Sequence, residues 1–480
     1  MTSKKYDPDK SENSLFTTPI DRRTAIKSMA AMAATPAIIG CGETIEEPVV
    51  VGTPETAIEH VVVLMLENRS FDHYLGSLSL VEGRTDIEGL TADMSNPDPE
   101  GGVVNVYHEE GPCFRDPPHG WTASRNQFNE GLNDGFLRQF YRGNGDTDYK
   151  KVMGYFIREQ LPISYAMADQ YTVANHWYSS VLGPTWPNRF FSHAAQNGGY
   201  KNNQIDGDYS FETLYHRLYD KDISFACYYN NISFMMLLQD LPGRGRMNPF
   251  EEFHEDAMAG KLPSFSVVEP MYGKNCDHPP VHPMAGQLLI SSVIDSLAQS
   301  PKWDKTMLVI TYDEHGGYFD HVAPPKAEDE RAADGFDQMG FRVPTQFVGP
   351  YVKEKFASNT VYDHTSILAF AERLWNLEPL NVRDSSANDF FDVLDMDRIE
   401  RVDPRPPPSL PMIVADEATF DAEPCGTYTA LNEGITGQRE LEDFINTVPF
   451  ADNYDRREQT QELYDNFLAA TQSRGLWRKP

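Results

Sequence analysis

The segment Val61-Val62-Val63-Leu64-Met65-Leu66 carries no charge and begins with three β-branched residues. Continuous apolar runs of this kind are typical of strands buried on both faces of a parallel sheet. Similar runs recur later in the chain, at 265–268, 307–311 and 345–348. Amphipathic stretches typical of helices lie at 286–299 and 365–375. Strands that alternate with helices predict an α/β fold, with a mostly parallel central sheet and helices on both of its faces. The stretches at about 77–160 and 200–260 have weak periodicity and predict long loop insertions with short helices that shape a pocket over the sheet.

Acidic and amide residues follow two of the predicted strands. Glu67 and Asn68 come after the first run, and Asp313 and Glu314 come after the run at 307–311. In open α/β sheets, ligands bind beyond the carboxyl ends of the strands, so we expect both pairs to face one crevice. Carboxylate and amide oxygens are ligands of hard divalent cations, which predicts a metal site here. The alternative is that each pair forms a solvated turn or caps a helix.

A candidate nucleophile lies in the segment Gly183-Pro184-Thr185-Trp186-Pro187-Asn188-Arg189. The prolines stiffen this turn and the glycine permits close approach, so we expect Thr185 at a helix start, where backbone N–H groups attract an anion. A threonine hydroxyl becomes a good nucleophile when it is deprotonated, and coordination to a cation achieves this at moderate pH. The alternative is that Thr185 only caps the helix.

Three histidines lie in or beside these segments. His278 is followed by two prolines, His321 ends the second acidic cluster, and His364 precedes the predicted helix at 365. An imidazole can donate to an anionic oxygen or protonate a leaving alkoxide, which makes each of them a candidate catalytic residue. The alternative for each histidine is a structural role.

The charge balance limits the partners of the chain. Its 480 residues include 41 Lys and Arg against 72 Asp and Glu, a formal charge of −31. This acid excess excludes general nucleic-acid binding and argues against docking onto anionic lipid through a basic face. The predicted organisation is a signal segment at 1–40, a tether at 41–56, a catalytic domain at 57–395 and a C-terminal appendage at 396–480 that packs on the catalytic domain.

The first forty residues predict export. Asp21-Arg22-Arg23-Thr24-Ala25-Ile26-Lys27 precedes an uncharged stretch and resembles a twin-arginine signal. This stretch is shorter than the roughly 20 residues of a spanning helix, and no transmembrane helix is expected in the mature chain. Ile38-Ile39-Gly40-Cys41 resembles a lipobox, which would make Cys41 a lipid anchor; the alternative is ordinary cleavage near 31–33. We expect a protein exported across the inner membrane that is periplasmic, anchored or secreted.

The motifs together carry a family resemblance. The segments 67–76, 183–189, 313–321 and 362–366 look like those of the bacterial phosphoesterase family, which contains phosphatidylcholine-type phospholipases C and an acid phosphatase. The resemblance implies an alkaline-phosphatase-like fold and a metal-bound Thr185 that forms a phosphoryl-enzyme intermediate. The implied metal ligands are Glu67, Asn68, Thr185, Asp313 and Glu314. His278 matches a family histidine that contacts the phosphate or the leaving group, and His321 and His364 are further candidates.

The chain departs from the family pattern at a few positions. Family members typically have a histidine where this chain has Arg125, a residue that would bind an anionic oxygen without a proton to give. His119, a few residues earlier, is a possible substitute for that histidine. These departures bear on the substrate more than on the reaction.

Several alternatives stay open at this point. The divalent metal is calcium, magnesium, zinc or manganese, since oxygen ligands favour the first two and related sites take the others. The substrate is a phosphate ester, either a phospholipid or a phosphomonoester. A protein of another class also fits, namely a lipid-anchored binding protein that has kept the fold and lost catalysis.

Overall fold

A central sheet of eight strands is the main feature of the computed structural model, which describes residues 51–112, 115–144, 148–204, 207–243, 246–420 and 460–480. The predicted signal segment, Cys41 and most of the predicted tether lie outside these ranges and stay predictions. In chain order the strands of the sheet are β1 His60–Leu66, β2 Thr172–Ala174, β3 Phe225–Tyr229, β4 Met247–Pro249, β5 Phe265–Val268, β6 Thr306–Tyr312, β7 Gln346–Val348 and β8 Phe356–Ser358.

The spatial order of the strands is β8-β2-β7-β6-β1-β5-β3-β4. Strand β7 runs antiparallel to both of its neighbours, and the other neighbouring pairs are parallel. Shorter strands pair outside this sheet: Ser95–Pro97 with Val103–Asn105, Tyr107–His108 with Gly154–Tyr155, and Ile413–Val414 with Trp477–Arg478. The predicted α/β class with a mostly parallel central sheet is confirmed.

Fifteen α-helices are present in the described ranges. They are α1 Pro54–Ala57, α2 Phe71–Tyr74, α3 Ser77–Leu80, α4 Trp121–Phe128, α5 Phe136–Asn144, α6 Pro162–Gln170, α7 Thr185–Ala194, α8 Leu214–Asp220, α9 Phe250–Met258, α10 Pro283–Ala298, α11 Ser366–Trp375, α12 Val382–Ser385, α13 Met396–Glu400, α14 Glu417–Phe420 and α15 Thr460–Ser473. None of them combines the length and the apolar character that a membrane span requires.

The apolar runs read from the sequence form the centre of the core. Every residue of β1 and of β6 is buried, which explains why both strands lack charge along their whole length. The two strands are parallel neighbours, with Leu66 paired with Tyr312 at their carboxyl ends. The residues that follow β1 and β6 therefore emerge side by side at one edge of the sheet.

The described C-terminal residues pack on the body of the protein. Phe467 of α15 contacts Phe250 of α9, with ring centroids 6.2 Å apart. Arg474 donates to Asp295 of α10 at 2.5 Å. These contacts describe how the C-terminal residues are held, and the predicted boundary between 395 and 396 stays a prediction.

Helix α10 approaches the loop before it so closely that it needs a glycine. A Cβ added at Gly286 would overlap Oδ1 of Asp277. The Asp277 carboxyl group has little freedom to move, since the Tyr312 hydroxyl donates to its Oδ2 at 2.6 Å. Burial raises the pKa of this carboxyl group to about 7. Gly286 thus fixes the position of the residue that directly precedes His278.

We expect Gly286→Ala to lower the free energy of unfolding by about 1–2 kcal/mol. Overpacking typically costs about 1–3 kcal/mol, and alanine returns up to about 1 kcal/mol of helix propensity. Urea unfolding of the purified protein measures the difference. Gly120→Ala is the matched control, because an added Cβ there has no neighbour within 4 Å and its φ is −67°. Equal midpoints for the two variants would contradict this expectation.

Candidate active site

The acidic and amide groups meet at the carboxyl ends of β1 and β6. The backbone N–H of Asp313 donates to the carbonyl of Leu66 at 3.1 Å and continues the pairing of the two strands. Asp313 Oδ1 then accepts from the backbone N–H of Asn68 at 2.9 Å and from that of Glu314 at 2.7 Å. These residues are all buried. The residues that follow β1 and β6 are therefore direct neighbours, as the sequence predicted.

The turn before α7 is held by one side chain. Asn188 Oδ1 accepts from the backbone N–H of Val181 at 2.9 Å, and Asn188 Nδ2 donates to the carbonyl of Gly183 at 2.9 Å. Thr185 is the first residue of α7 and is 3% exposed. The predicted helix start at Thr185 is therefore present, with its turn fixed from within the same segment.

Arg189 joins α7 to the two acidic strand ends. Its Nη2 lies 3.5 Å from Glu67 Oε1, and its Nε lies 3.6 Å from Asp313 Oδ2. Nη2 also donates to the carbonyl of Leu66 at 3.3 Å. Residues four positions apart lie on one face of a helix, so the face that carries Arg189 also carries Thr185 toward these carboxylates. Three sequence-distant segments thus converge on one site.

Two histidines border this site. His278 Nδ1 donates to the carbonyl of Pro279 at 2.7 Å, and His119 Nδ1 donates to the carbonyl of Pro117 at 2.7 Å. The two rings lie 5.9 Å apart. His119 Nε2 is 3.2 Å from Asn68 Nδ2. The sequence offered His119 only as a substitute for another histidine, whereas the structure places it in contact with a predicted metal ligand.

The charges around His119 are strongly coupled. Burial lowers the pKa of His119, but the nearby carboxylates of Asp116 and Glu314 raise it well above its ordinary value. The Glu314 Oε1 atom lies 3.7 Å from His119 Nε2. Burial raises the pKa of Glu314 well above the ordinary range, and the charge of His119 opposes this shift. A metal cation bound between His119 and Glu314 would take the place of the proton for which these two side chains compete.

Buried polar atoms without a hydrogen-bond partner collect at this site. Among the described residues they include Asn68 Oδ1, Thr185 Oγ1, His278 Nε2, Asp313 Oδ2 and Glu314 Oε1. A buried polar group left unsatisfied costs about 1–3 kcal/mol, and native proteins contain few of them. Four of the five are oxygens, the donor set of a hard divalent cation. The residues present therefore fit a metal ion together with an anionic ligand.

The structure contains two groups of side chains close enough to share a metal ion. Asp116, His119 and His278 have ligand atoms within 4.8 Å of one another, as do Asp72, Asp320 and His321. The first group adjoins Glu314 and belongs to the candidate site. In the second group, the positive charge of Arg342 already balances the two aspartates, because its guanidinium donates to both of them.

His364 connects the backbone of Asp313 to the buried side chain of Trp177. Its Nε2 donates to the carbonyl of Asp313 at 2.6 Å, and its Nδ1 accepts from Trp177 Nε1 at 3.2 Å. Burial lowers the pKa of His364, which keeps the ring neutral with one proton at Nε2. Both nitrogens are thus bound to the protein, which makes His364 a positioning residue for Asp313; the predicted catalytic contact stays a prediction.

Two further predicted residues lie apart from the convergent atoms. His321 Nδ1 bonds to Asp72 Oδ2 at 2.7 Å. The Arg125 guanidinium donates to the carbonyls of Trp121, Leu182 and Gly335. In the described part of the chain, neither side chain forms a hydrogen bond or ion pair with Asn68, Asp313 or Glu314. The structure thus places them in other contacts, and their catalytic roles stay predictions.

This fold and this convergence of acidic, hydroxyl and imidazole groups define a class of protein, the phosphoesterases. The sequence model of the Phosphoesterase family matches residues 58–378, so the chain belongs to this family. It is 34% identical over 408 residues to non-specific phospholipase C6 of Arabidopsis thaliana, with 77% of this chain and 78% of that protein covered. It is 29% identical over 401 residues to phospholipase C B of Mycobacterium tuberculosis strain ATCC 25618 / H37Rv, with 70% and 77% covered.

Solved structures are similar at low identity. One is a protein in the alkaline phosphatase superfamily from Vibrio parahaemolyticus, with a TM-score of 0.33 and 10% identity over 50% of this chain and 65% of that chain. Another is the lipoteichoic acid synthase LtaP from Listeria monocytogenes, with a TM-score of 0.36 and 12% identity over 84% and 97%. The family predicted from the motifs is confirmed, and the chain is a phosphoric ester hydrolase.

Proposed function

We propose that the chain is a metal-dependent phosphoesterase that uses Thr185 as its nucleophile and passes through a phosphothreonine intermediate. The observation that carries this proposal is the set of buried oxygens without a hydrogen-bond partner on Asn68, Thr185, Asp313 and Glu314, residues that follow β1, begin α7 and follow β6. The phospholipase C names of the relatives support a phospholipid as substrate, and a phosphomonoester shares the same reacting group.

The residues that would hold the metal ion are Glu67, Asn68, Thr185, Asp313 and Glu314. A bound divalent cation lowers the pKa of a coordinated hydroxyl and neutralises charge on phosphoryl oxygens. Arg189 holds the carboxylates of Glu67 and Asp313 in place from one side. Its charge is secure, since Tyr272 and these two carboxylates raise the pKa of Arg189 despite its burial.

The proposed transfer begins when the Thr185 hydroxyl loses its proton to solvent and Oγ1 attacks phosphorus. The new Oγ1–P bond forms as the bond from phosphorus to the ester oxygen breaks. The carbonyl of Pro279 fixes one proton on His278 Nδ1, which leaves Nε2 to carry a second proton. His278 gives that proton to the departing alkoxide. Water then gives one proton to His278 Nε2 as its oxygen attacks phosphorus, the Oγ1–P bond breaks, and the Thr185 oxygen takes up a proton from solvent.

Hydrolysis assays test this proposal. We expect the full chain, loaded in turn with Ca²⁺, Mg²⁺, Mn²⁺ or Zn²⁺, to hydrolyse p-nitrophenyl phosphate or p-nitrophenylphosphorylcholine. Chelation is expected to remove this turnover, and readdition of the metal is expected to restore it, because the acidic and hydroxyl groups are set up to act around a cation. Turnover that survives exhaustive chelation would contradict the metal dependence. No turnover with any metal would favour a binding protein of the same fold.

A further inference from the structure

Trp121 borders the turn that leads into the proposed nucleophile. A Cβ placed on Gly183, two residues before Thr185, would lie 3.3 Å from Trp121 Cε3. In the sequence, Trp121 lies two residues after His119, whose imidazole contacts Asn68. The indole is partly exposed and packs on Phe336, with ring centroids 4.8 Å apart. Trp121 is therefore placed to contact a part of the substrate beyond the scissile phosphate.

Two cations stack on this indole. The Arg125 Cζ atom lies 3.3 Å from the Trp121 ring centroid, and Lys201 Nζ lies 5.0 Å from it. Both distances fall in the range of cation–π contacts, which stabilise a cation over an aromatic face. The ring that would otherwise attract a quaternary ammonium group already carries two cations of the protein.

Neither cation forms an ion pair with a carboxylate in the part of the chain that the structure describes. Arg125 donates to backbone carbonyls only. The carboxylate of Asp337 is near Arg125 but pairs with Lys326 at 2.8 Å. In a chain with a formal charge of −31, two neighbouring cations without carboxylate partners produce a local positive potential.

The loop that carries Lys201 is tied to the start of the nucleophile helix. Asn203 Oδ1 accepts a hydrogen bond from the backbone N–H of Trp186 at 2.9 Å, and Trp186 directly follows Thr185. A third cation lies at the same loop, since the Arg331 guanidinium packs on the backbone at Gly199. The charge of Lys201 therefore lies on a loop that is tied to the residue directly after Thr185, and the Arg331 guanidinium packs on the same loop.

We propose that Trp121, Arg125 and Lys201 form a subsite for a negatively charged substituent on the scissile phosphate, and that this subsite disfavours choline-like cations. This rests on the proposed function and names the class of ester that the site prefers. Lys201 supplies the mobile charge, since the Arg125 guanidinium is fixed by three carbonyls. Arg125 thus contributes to the selection of the substrate from a position next to the candidate active site.

Three p-nitrophenyl phosphodiesters of similar size test the subsite. Their second alcohols are choline, the uncharged 3,3-dimethylbutanol and the anionic 3-hydroxypropanoate. We expect kcat/KM of the full chain to be highest for the anionic ester and lowest for the choline ester. The ratio of these two values is expected to fall at least about threefold in Lys201→Met and to be retained in Lys201→Arg. Raising NaCl from 50 to 500 mM is expected to shrink it, because salt screens exposed charges.

Lys221→Met is the matched control, since Lys221 is an exposed lysine at the end of α8. A wild-type preference for choline, or an equal fall of the ratio in Lys201→Met and Lys221→Met, would overturn the subsite while leaving the phosphoesterase intact. If no ester is hydrolysed, the proposed function fails, and calorimetric binding of the three esters decides the subsite alone. Tighter binding of the anionic ester that depends on Lys201 supports it, and equal binding overturns it.

Discussion

Thr185→Val is expected to reduce turnover at least about 10³-fold, because it removes the oxygen that attacks phosphorus. The same substitution is expected to change the free energy of unfolding by less than about 1 kcal/mol. The Thr185 hydroxyl is buried and has no hydrogen-bond partner in the described structure, so a methyl group in its place leaves nothing newly unsatisfied. Activity and stability are therefore expected to separate at this position.

Thr172→Val is expected to show the opposite result, a loss of stability without a loss of turnover. The Thr172 hydroxyl is also buried, but it donates to the carbonyl of Lys353 at 2.9 Å. Loss of this bond is expected to cost about 1 kcal/mol or more and to leave turnover unchanged, since β2 contributes no residue to the site. Steady-state kinetics and urea unfolding of both variants give the comparison. Residual activity of Thr185→Val within tenfold of wild type would exclude Thr185 as the nucleophile.

Arg342→Met is expected to lower the free energy of unfolding by about 3–5 kcal/mol at pH 7.5, the largest stability effect that we predict. The guanidinium is fully buried and donates to Asp72 Oδ1 at 3.0 Å and to Asp320 Oδ1 at 2.9 Å. Its Nη1 also donates to the carbonyls of Glu88 and Asn175. Removal of the cation would leave the buried Asp320 carboxylate without its main partner and would leave Asp72 with His321 alone as its cationic partner.

The loss of unfolding free energy that Arg342→Met causes relative to wild type is expected to be smaller at pH 5 than at pH 7.5. Burial tends to raise the pKa of Asp72, but the charges of His321 and Arg342 hold it below its ordinary value. Burial raises the pKa of Asp320 to about 6 even with Arg342 present. Without the guanidinium the pKa of Asp320 rises further above the roughly 3.9 of an unfolded aspartate, so folding of the variant takes up more protons than folding of wild type. The stability of the variant therefore increases relative to wild type as the pH falls.

Urea unfolding at pH 7.5 and pH 5 measures both effects. Arg158→Met is the control, because Arg158 also bridges two acidic residues, Glu82 and Asp169, but its side chain is 39% exposed. Exposed ion pairs contribute about 0–1 kcal/mol. Two outcomes would show that burial of the charge network is not the reason for the importance of Arg342. One is a similar loss of unfolding free energy in the two variants, and the other is a loss in Arg342→Met that is larger at pH 5 than at pH 7.5.

Local patterns in the sequence were sufficient for four of the eight strands of the sheet, namely β1, β5, β6 and β7, and for the acidic strand ends. The short strands β2 and β8 were not predicted, and β3 and β4 lie in a stretch that was predicted to form loops with short helices. An uncharged apolar run identifies a doubly buried strand, and parallel neighbours bring the residues after Leu66 and Tyr312 to one edge. Thr185 was found for a similar reason, since its prolines and glycine mark a turn before a helix. In each case the residues that determine the structure are adjacent in the sequence.

The positions of His119 and His321 depend on chain paths that no local pattern shows. His321 shares a motif with Asp313, but the chain turns at Gly316, whose φ is 63° and where an added Cβ would overlap the carbonyl of Asn68. That turn leads His321 to Asp72 instead of to the acidic strand ends. His119 contacts Asn68, which is 51 residues away in the sequence, so the sequence suggested it only as a possible substitute for a family histidine.

The unpartnered atoms at the ends of β1 and β6 also connect the site to the folding equilibrium of the whole protein. Asn68, Thr185 and Asp313 come from distant parts of the sequence, so their oxygens without a hydrogen-bond partner come together only in the folded chain. A ligand that binds the native state and not the unfolded state stabilises it by about 2.7 kcal/mol at a hundredfold excess over its Kd. Occupancy of the site is thus thermodynamically linked to resistance against unfolding, and the melting temperature reports which ions and anions the protein accepts.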